Sequence, residues 1–370
     1  MCSETNTLGV KILAFETSCD DTSVAIFEGT ELLFMDTASQ IKIHNITGGV
    51  VPEVAAREHA NAIFEVLENV LVWAWVSLEE IDYIAVTKTP GLMPSLLTWL
   101  TVARTLWNIL KKEVLEINHI EAHIFANFME RKSEDIEFPL VCLTVSGWHN
   151  EIYYMENMFD MQKLGWTTDD SAWEAFDKVA KMMGLGYPGW PIVSKLAWEY
   201  EAPSVLSDIS LQEGDKEKVP HHGGRVRGNS DLFPRVWLKK DEYDFSFSGL
   251  KSAVKREVDK RKSSPQPSPL GGEGVLDDLS IDDKREISFE FESAVTEVLA
   301  YKLVNAWIKK RVWTVMLAGW VSANDKLISL IEKKAEKEWL NFIHPVKKVY
   351  CWDNAAMVWI NAYYKIKNFW

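Results

Sequence analysis

Two stretches of this chain follow one pattern, and that repetition limits the folds open to it. Residues 11–27 (KILAFETSCDDTSVAIF) run apolar, pass through a polar turn and return as a second, alternating strand. Residues 138–155 (FPLVCLTVSGWHNEIYYM) do the same around a turn of small residues. After the first opener a third strand fits 31–37. An amphipathic helix fits 52–76, where Val54, Ala55, Ile63, Val66, Leu67 and Val70 recur at helical spacing. Strand 81–87, helix 94–110, strand 114–117 and helix 120–131 follow. After the second opener come helices at 171–183, 191–198 and 287–309, strand 314–318, and helices at 323–338 and 354–367. Strands alternating with helices predict a parallel or mixed sheet with helices packed on it. Two such halves predict a duplicated α/β fold, divided into 10–137 and 138–370, with a cleft between them. Two stretches interrupt the pattern: 201–229 is polar and rich in Gly and His, and 263–274 (SSPQPSPLGGEG) reads as a disordered surface loop.

A chain of 370 residues is long enough for two domains and a large core. No apolar run approaches the ~20 residues needed to span a bilayer, and the first nine residues lack the apolar segment of a secretory signal. Cys2, Cys19, Cys142 and Cys351 form no CxxC pair, and the last three lie in or beside apolar runs as expected of buried free thiols. These features predict a cytoplasmic protein with no membrane partner. The net charge of −14 excludes a protein that grips nucleic acid by bulk charge alone. RNA contact must then come from a local basic patch or from a partner. The dense basic stretch 251–262 (KSAVKREVDKRK) serves equally as such a patch or as a solvated helix face.

Several motifs carry chemistry. His119 and His123, four apart in NHIEAH, share one helical face and can hold a metal together, although the same spacing suits a pair of capping or buried histidines. Glu121 lies roughly 200° around the helix from His119 at ~100° per residue, which removes the general base a zinc protease needs. Asp20 and Asp21 sit in the first turn, where carboxylates can orient Mg²⁺ or a water, or simply make the turn. Val145, Ser146 and Gly147 form the matching turn of the second half, small enough for backbone N–H groups to approach a phosphate. Residues 318–324 (AGWVSAN) read as strand, tight turn and helix start, and 187–191 (YPGWP) as a turn into a helix.

Taken together, the segments ETSCDDTSVAIF, SQIKIHNITGGVVPEVAAREHA, NHIEAH, VSGWH, DDSAWEAFDKVAKMMGLGYPGWP, FSFSGLKSAV, AGWVSAN and CWDNAAM resemble the tRNA N6-adenosine threonylcarbamoyltransferases, the TsaD family, in order across nearly the whole chain. The resemblance implies the duplicated fold of actin, heat-shock ATPases and sugar kinases (ASKHA), two RNase H-like subdomains around a central cleft. It implies an acyltransferase that moves a threonylcarbamoyl group from threonylcarbamoyl-AMP to N6 of the adenosine 3′ to the anticodon of ANN-decoding tRNAs, forming t6A and releasing AMP. One divalent metal per subunit, iron ahead of zinc, would rest on His119, His123 and Asp353, with Mg²⁺ accompanying nucleotide. Thr144, Val145, Ser146, Gly147, Trp148, Asp177, Trp190 and Asn324 would bind the substrate, and Asp20 would stand near the reacting group. The implied partners are tRNA, a paralogous non-catalytic subunit (TsaB-like) and a small ATPase (TsaE-like), with helix 52–76 as a docking face or as plain core. An ATPase or sugar kinase of the same superfamily is the alternative, although a kinase has no use for NHIEAH.

The chain departs from the family in one systematic way. It has 17 Trp against 19 Gly, and Trp stands where the family has Gly at Trp75, Trp99, Trp148, Trp173, Trp190, Trp320 and Trp339. Reading UGA as Trp in a lineage where it encodes Gly would produce this pattern. As literal tryptophans, these residues predict an impaired nucleotide site, or a non-catalytic scaffold.

Overall fold

The computed structural model describes residues 9–147, 149–209, 232–235, 243–263 and 279–369. Five strands form one sheet: β1 (Lys11–Glu16), β2 (Asp21–Glu28), β3 (Glu31–Ser39), β4 (Tyr83–Thr89) and β5 (Glu113–Asn118), in the order β3-β2-β1-β4-β5. Five more form a second: β6 (Leu140–Val145), β7 (Asn150–Asn157), β8 (Asp160–Trp166), β9 (Thr314–Ala318) and β10 (Asn341–Ile343), in the order β8-β7-β6-β9-β10. In each sheet the first three strands pair antiparallel and the last two run parallel to the opener. The repeat seen in the two openers therefore extends to whole sheets, and the duplicated α/β architecture is present.

Among the described residues, ten α-helices accompany these sheets: α1 (Ile41–Thr47), α2 (Pro52–Ala74), α3 (Met93–Leu110), α4 (His119–Phe125), α5 (Ala172–Met182), α6 (Gly189–Ile209), α7 (Ser248–Lys262), α8 (Ile281–Lys310), α9 (Asp325–Lys337) and α10 (Ala355–Phe369). Ile63, Val66, Leu67 and Val70 of α2 pack with Leu13, Phe15 and Val24 of the first sheet, each side chain contributing about 1.5–3 kcal/mol by leaving water. The face of α2 away from the sheet leaves Phe64 and Val72 exposed, whereas Trp73, also exposed, stacks on Phe34 of β3 with ring centroids 6.1 Å apart. Ile124 and Phe125 of α4 and Met357 and Trp359 of α10 pack between the sheets with Ile12, Ala14, Leu140 and Cys142. Helices α5, α7, α8 and α9 close the outer face of the second sheet around Val141, Leu143, Phe176 and Phe291. No described helix is long and apolar enough to cross a membrane.

Three boundaries differ from those read in the sequence. Helix α4 spans seven residues before a 3₁₀ turn at Ala126–Phe128, because Asn127 turns its amide to Leu317 O (3.2 Å) and Ile124 O. Helix α6 runs on to Ile209, so the polar stretch from 201 opens as helix. Helix α8 starts at Ile281, where Ser280 caps it by accepting from Asp283 N (3.1 Å). Residues 210–229 and 264–274 lie outside the described residues. The basic stretch 251–262 falls on α7, where Arg261 pairs with Glu257, Asp283 and Glu286 of its own chain.

Trp75 caps the C-terminus of α2, with φ +56°, and α9 is followed by Trp339, with φ +58°. The left-handed conformation at a helix C-terminus suits glycine, because a Cβ there crowds the carbonyl. Both indoles stand in solvent, 90% and 91% exposed.

Candidate active site

Strand β5 delivers the chain straight into α4. Asn118 caps that helix, its Oδ1 accepting from Ile120 N (2.9 Å) and Glu121 N (3.1 Å), which places His119 at the first helical position and His123 one turn on. The two rings lie 4.6 Å apart between centroids. Asp353, in the segment ahead of α10, brings its Oδ1 to 3.0 Å from His123 Nε2 and 3.6 Å from His119 Nε2. One ligand atom from each of the three lies within 4.8 Å of the others, and all three residues are buried. Glu121 points elsewhere, toward Lys365 at 3.0 Å, as its angle from His119 requires.

Behind the cluster stands Glu16, which sequence reasoning did not single out. It is fully buried at the end of β1. Its Oε2 meets His119 Nδ1 at 3.2 Å and accepts from Thr87 Oγ1 at 2.5 Å, while its Oε1 accepts from Ser18 N at 2.5 Å. The available signal was a charged residue closing an otherwise apolar strand. Burial works against every charge here, yet His119 holds Glu16 below the usual carboxylate range. Burial likewise lowers His119, but Glu16 and Asp353 outweigh it and carry the ring to about 9. Burial would raise Asp353, and the two histidines bring it to about 2. Burial keeps His123 low and neutral.

His123 supplies the test of fit for a metal. Both its ring nitrogens are buried and neither has an aligned hydrogen-bond partner, a costly state for a polar group. A cation shared with His119 and Asp353 would satisfy Nε2, and Glu16 on the far nitrogen of His119 is the carboxylate–histidine arrangement that orients metal-binding imidazoles. The residues present fit a divalent metal.

A cleft of about 410 Å³ opens onto this cluster between the two sheets. Ser18, Cys19 and Asp20 line it from the first turn, Ser146, Gly147 and His149 from the second, and Asp177, Lys178, Lys181 and Tyr187 from α5 and the loop beyond. Asp20 is nearly buried and accepts from Tyr187 Oη at 3.4 Å, and burial raises its pKa. Burial also pushes Asp177 up to about 7, and its Oδ1 accepts from Gly189 N at 2.6 Å. A Cβ on Gly189 would come within 2.6 Å of Phe176 O, so this turn can approach α5 only as glycine.

Of the residues singled out from sequence, His119, Asp353, Asp20, Ser146, Gly147 and Asp177 share the cleft wall, and His123 stands directly behind. Thr144 and Val145 are buried in β6, the threonine hydroxyl donating to Glu151 O at 3.3 Å. Asn324 Nδ2 donates to Glu292 Oε1 (2.8 Å), and its Oδ1 caps α9 by accepting from Leu327 N (2.8 Å). Trp148 lies outside the described residues. Trp190 is buried beside Trp173, which in turn meets Trp320, with ring centroids 6.0 and 4.9 Å apart.

With this geometry in place, comparison with known proteins is decisive. The TsaD family, tRNA N6-adenosine threonylcarbamoyltransferase, matches residues 31–359. The chain belongs to the TsaD family. It is 38% identical to the tRNA N6-adenosine threonylcarbamoyltransferase of Syntrophomonas wolfei subsp. wolfei, over 96% of this chain and 93% of that one. It is 39% identical to the protein of that name from Persephonella marina (97% and 91% covered) and 40% identical to one from Staphylococcus epidermidis (95% and 91% covered). Among solved structures, full-length HypF in its phosphate- and nucleotide-bound form aligns with a TM-score of 0.55 at 13% identity, covering 97% of this chain and 47% of that longer one. HypF of T. kodakarensis aligns at 0.52 and 14%, over 98% of this chain and 48% of that one. These two likenesses support the fold, and TsaD membership is shown by the sequence matches.

Proposed function

We propose that this TsaD-family chain transfers the threonylcarbamoyl group of threonylcarbamoyl-AMP to N6 of the adenosine 3′ to the anticodon in ANN-decoding tRNAs, forming t6A and releasing AMP, within the cleft between the two sheets. The observation that carries this reading is the buried His119–His123–Asp353 cluster opening onto a cleft lined by Asp20, Ser146, Gly147 and Asp177. The adenosine amine attacks the carbamoyl carbon, the bond from that carbon to the phosphate oxygen breaks, and AMP departs with the electron pair. The amine must also lose a proton. Asp20 on the cleft wall is the acceptor, its basicity strengthened by burial. Lys181 puts positive charge on the cleft wall, suited to the phosphate of the departing AMP, while Lys178 beside it is paired with Asp170 and Glu174. His119, His123 and Asp353 would hold a divalent metal, which when bound would supply Lewis-acid polarisation of the acyl group. Two imidazoles and a carboxylate suit iron or zinc, and iron is our assignment, with Mg²⁺ accompanying the nucleotide.

The net charge of −14 supports tRNA delivery with help. The proposed partners are a TsaB-like paralogue and a TsaE-like ATPase, with the exposed face of α2 that carries Phe64 and Val72 as the docking surface. The reading is tested by incubating the protein with threonylcarbamoyl-AMP and tRNA lacking the modification, then weighing the digested nucleosides. A threonylcarbamoylated adenosine is expected. Turnover of ATP with a sugar and no modified nucleoside would replace this function with a kinase.

A further inference from the structure

Asp20 sits in the turn between β1 and β2, lines the cleft and is only 5% exposed. Its carboxylate is loosely held. Tyr187 Oη donates to it from 3.4 Å, a long contact, and the Cys19 thiol beside it is a weak donor. The aim of the side chain is therefore set by the two peptide groups that flank its Cα. Both are fixed from outside the turn. On one side, His59 Nε2 lies 3.0 Å from Cys19 O, the carbonyl of the peptide that joins Cys19 to Asp20. On the other, Gln40 N donates to Asp20 O at 3.0 Å. Gln40 also donates its side-chain Nε2 to Ala55 O at 3.2 Å, so both anchors reach back to α2.

His59 is fully buried on the face of α2 that carries Ala55 and Ile63. An aliphatic side chain would fill such a position without the cost of burying a polar ring. The imidazole is instead satisfied at both nitrogens by the turn. A carbonyl can only accept, so Nε2 carries the proton, and Nδ1 accepts from Thr22 Oγ1 at 2.8 Å. Burial keeps the ring's pKa below its ordinary value, and the neutral ring is the form these two bonds require. One side chain thus grips the chain on both sides of Asp20, at residues 19 and 22.

We propose that His59 is a positioning residue for the transfer, holding the Cys19–Asp20 peptide so that the Asp20 carboxylate faces the adenosine amine. The inference rests on the function proposed above, in which Asp20 takes the proton of that amine. His59 itself stands behind the turn, and its effect passes through Asp20. A proton acceptor must lie within hydrogen-bond reach of the group it serves, and a displacement of about 1 Å can cost about 100-fold in rate. Loss of the clamp therefore slows the transfer step and leaves the binding of adenylate and tRNA as it was.

The test is single-turnover modification of tRNA by the full chain, comparing the unaltered protein with His59→Leu, His59→Gln, Asp20→Asn, and His59→Leu combined with Asp20→Asn. Leucine keeps the packing and removes both bonds, whereas glutamine keeps a donor for Cys19 O. His59→Leu should slow the transfer step by about 10–100-fold, with the affinities for threonylcarbamoyl-AMP and tRNA unchanged. His59→Gln should recover most of the lost rate. On top of Asp20→Asn, His59→Leu should cost nothing further, because a residue that acts through another is not additive with it. An unaltered rate in His59→Leu, or an undiminished loss on top of Asp20→Asn, would overturn the inference. If His59→Leu does not fold, His59→Asn against His59→Gln carries the test. The shorter amide reaches Thr22 alone and should be the slower of the two, and equal rates overturn. No modified adenosine from any of these proteins, the unaltered chain included, would sink the proposed function and this inference with it.

Discussion

Glu16 Oε2 lies 3.2 Å from His119 Nδ1, and that contact turns the opposite nitrogen of the ring toward Asp353. A carboxylate fixed by Thr87 and Ser18 thus sets the orientation of a histidine more than a hundred residues away. Outer partners of this kind are worth 10–100-fold in metal affinity. Glu16→Gln should therefore weaken binding of Zn²⁺ or Fe²⁺ by about 10–100-fold, read by competition against a chelating dye. Affinity equal to the unaltered protein would show that Glu16 serves the fold alone.

Much of this site was legible in the sequence. Strand openers could be read because their apolar runs alternate about a polar turn, and the histidine spacing placed both rings on one face. Asp353 came from the family resemblance, since nothing local ties it to residues 119 and 123. Strand β8 was missed because six of its seven residues are exposed or half-buried, so it shows no apolar face. Strand β10 has three residues, too few for a period. Glu16 escaped notice because its partners come from distant parts of the chain, and sequence spacing cannot show a contact of that kind.

The charge states of Asp177 and Asp21 predict a pH dependence. Burial raises each from 3.8 to about 7. The folded protein then binds these protons more tightly than the unfolded chain. Their contribution to stability is full below about pH 4 and is lost as pH rises through about 7. Urea unfolding at about pH 5 and about pH 8 should show the unaltered protein losing more stability over that interval than Asp177→Asn. An equal loss in both would contradict the assignment for Asp177.

Trp75 and Trp339 make the opposite kind of prediction. Both hold a left-handed backbone and neither ring is buried. Trp75→Gly and Trp339→Gly should each stabilise the protein by up to about 1 kcal/mol: about 1–2 kcal/mol of left-handed strain for a residue with a Cβ is relieved, less about 0.4–1 kcal/mol for the added freedom of glycine in the unfolded chain. Chemical denaturation measures this directly. A drop in stability for either variant would mean that its indole makes a contact the fold depends on.

The central claim is that this cleft transfers an acyl group with the metal cluster at its floor. The measurement closest to it follows AMP release and adenosine modification in one reaction, with threonylcarbamoyl-AMP, tRNA lacking the modification, and protein carrying glycine at positions 75, 99, 148, 173, 190, 320 and 339. The account predicts one AMP released for each threonylcarbamoylated adenosine, a much slower reaction in the unaltered chain, and loss of both products in Asp353→Ala. Modification at full rate in Asp353→Ala, or AMP release with no modified adenosine, would contradict it.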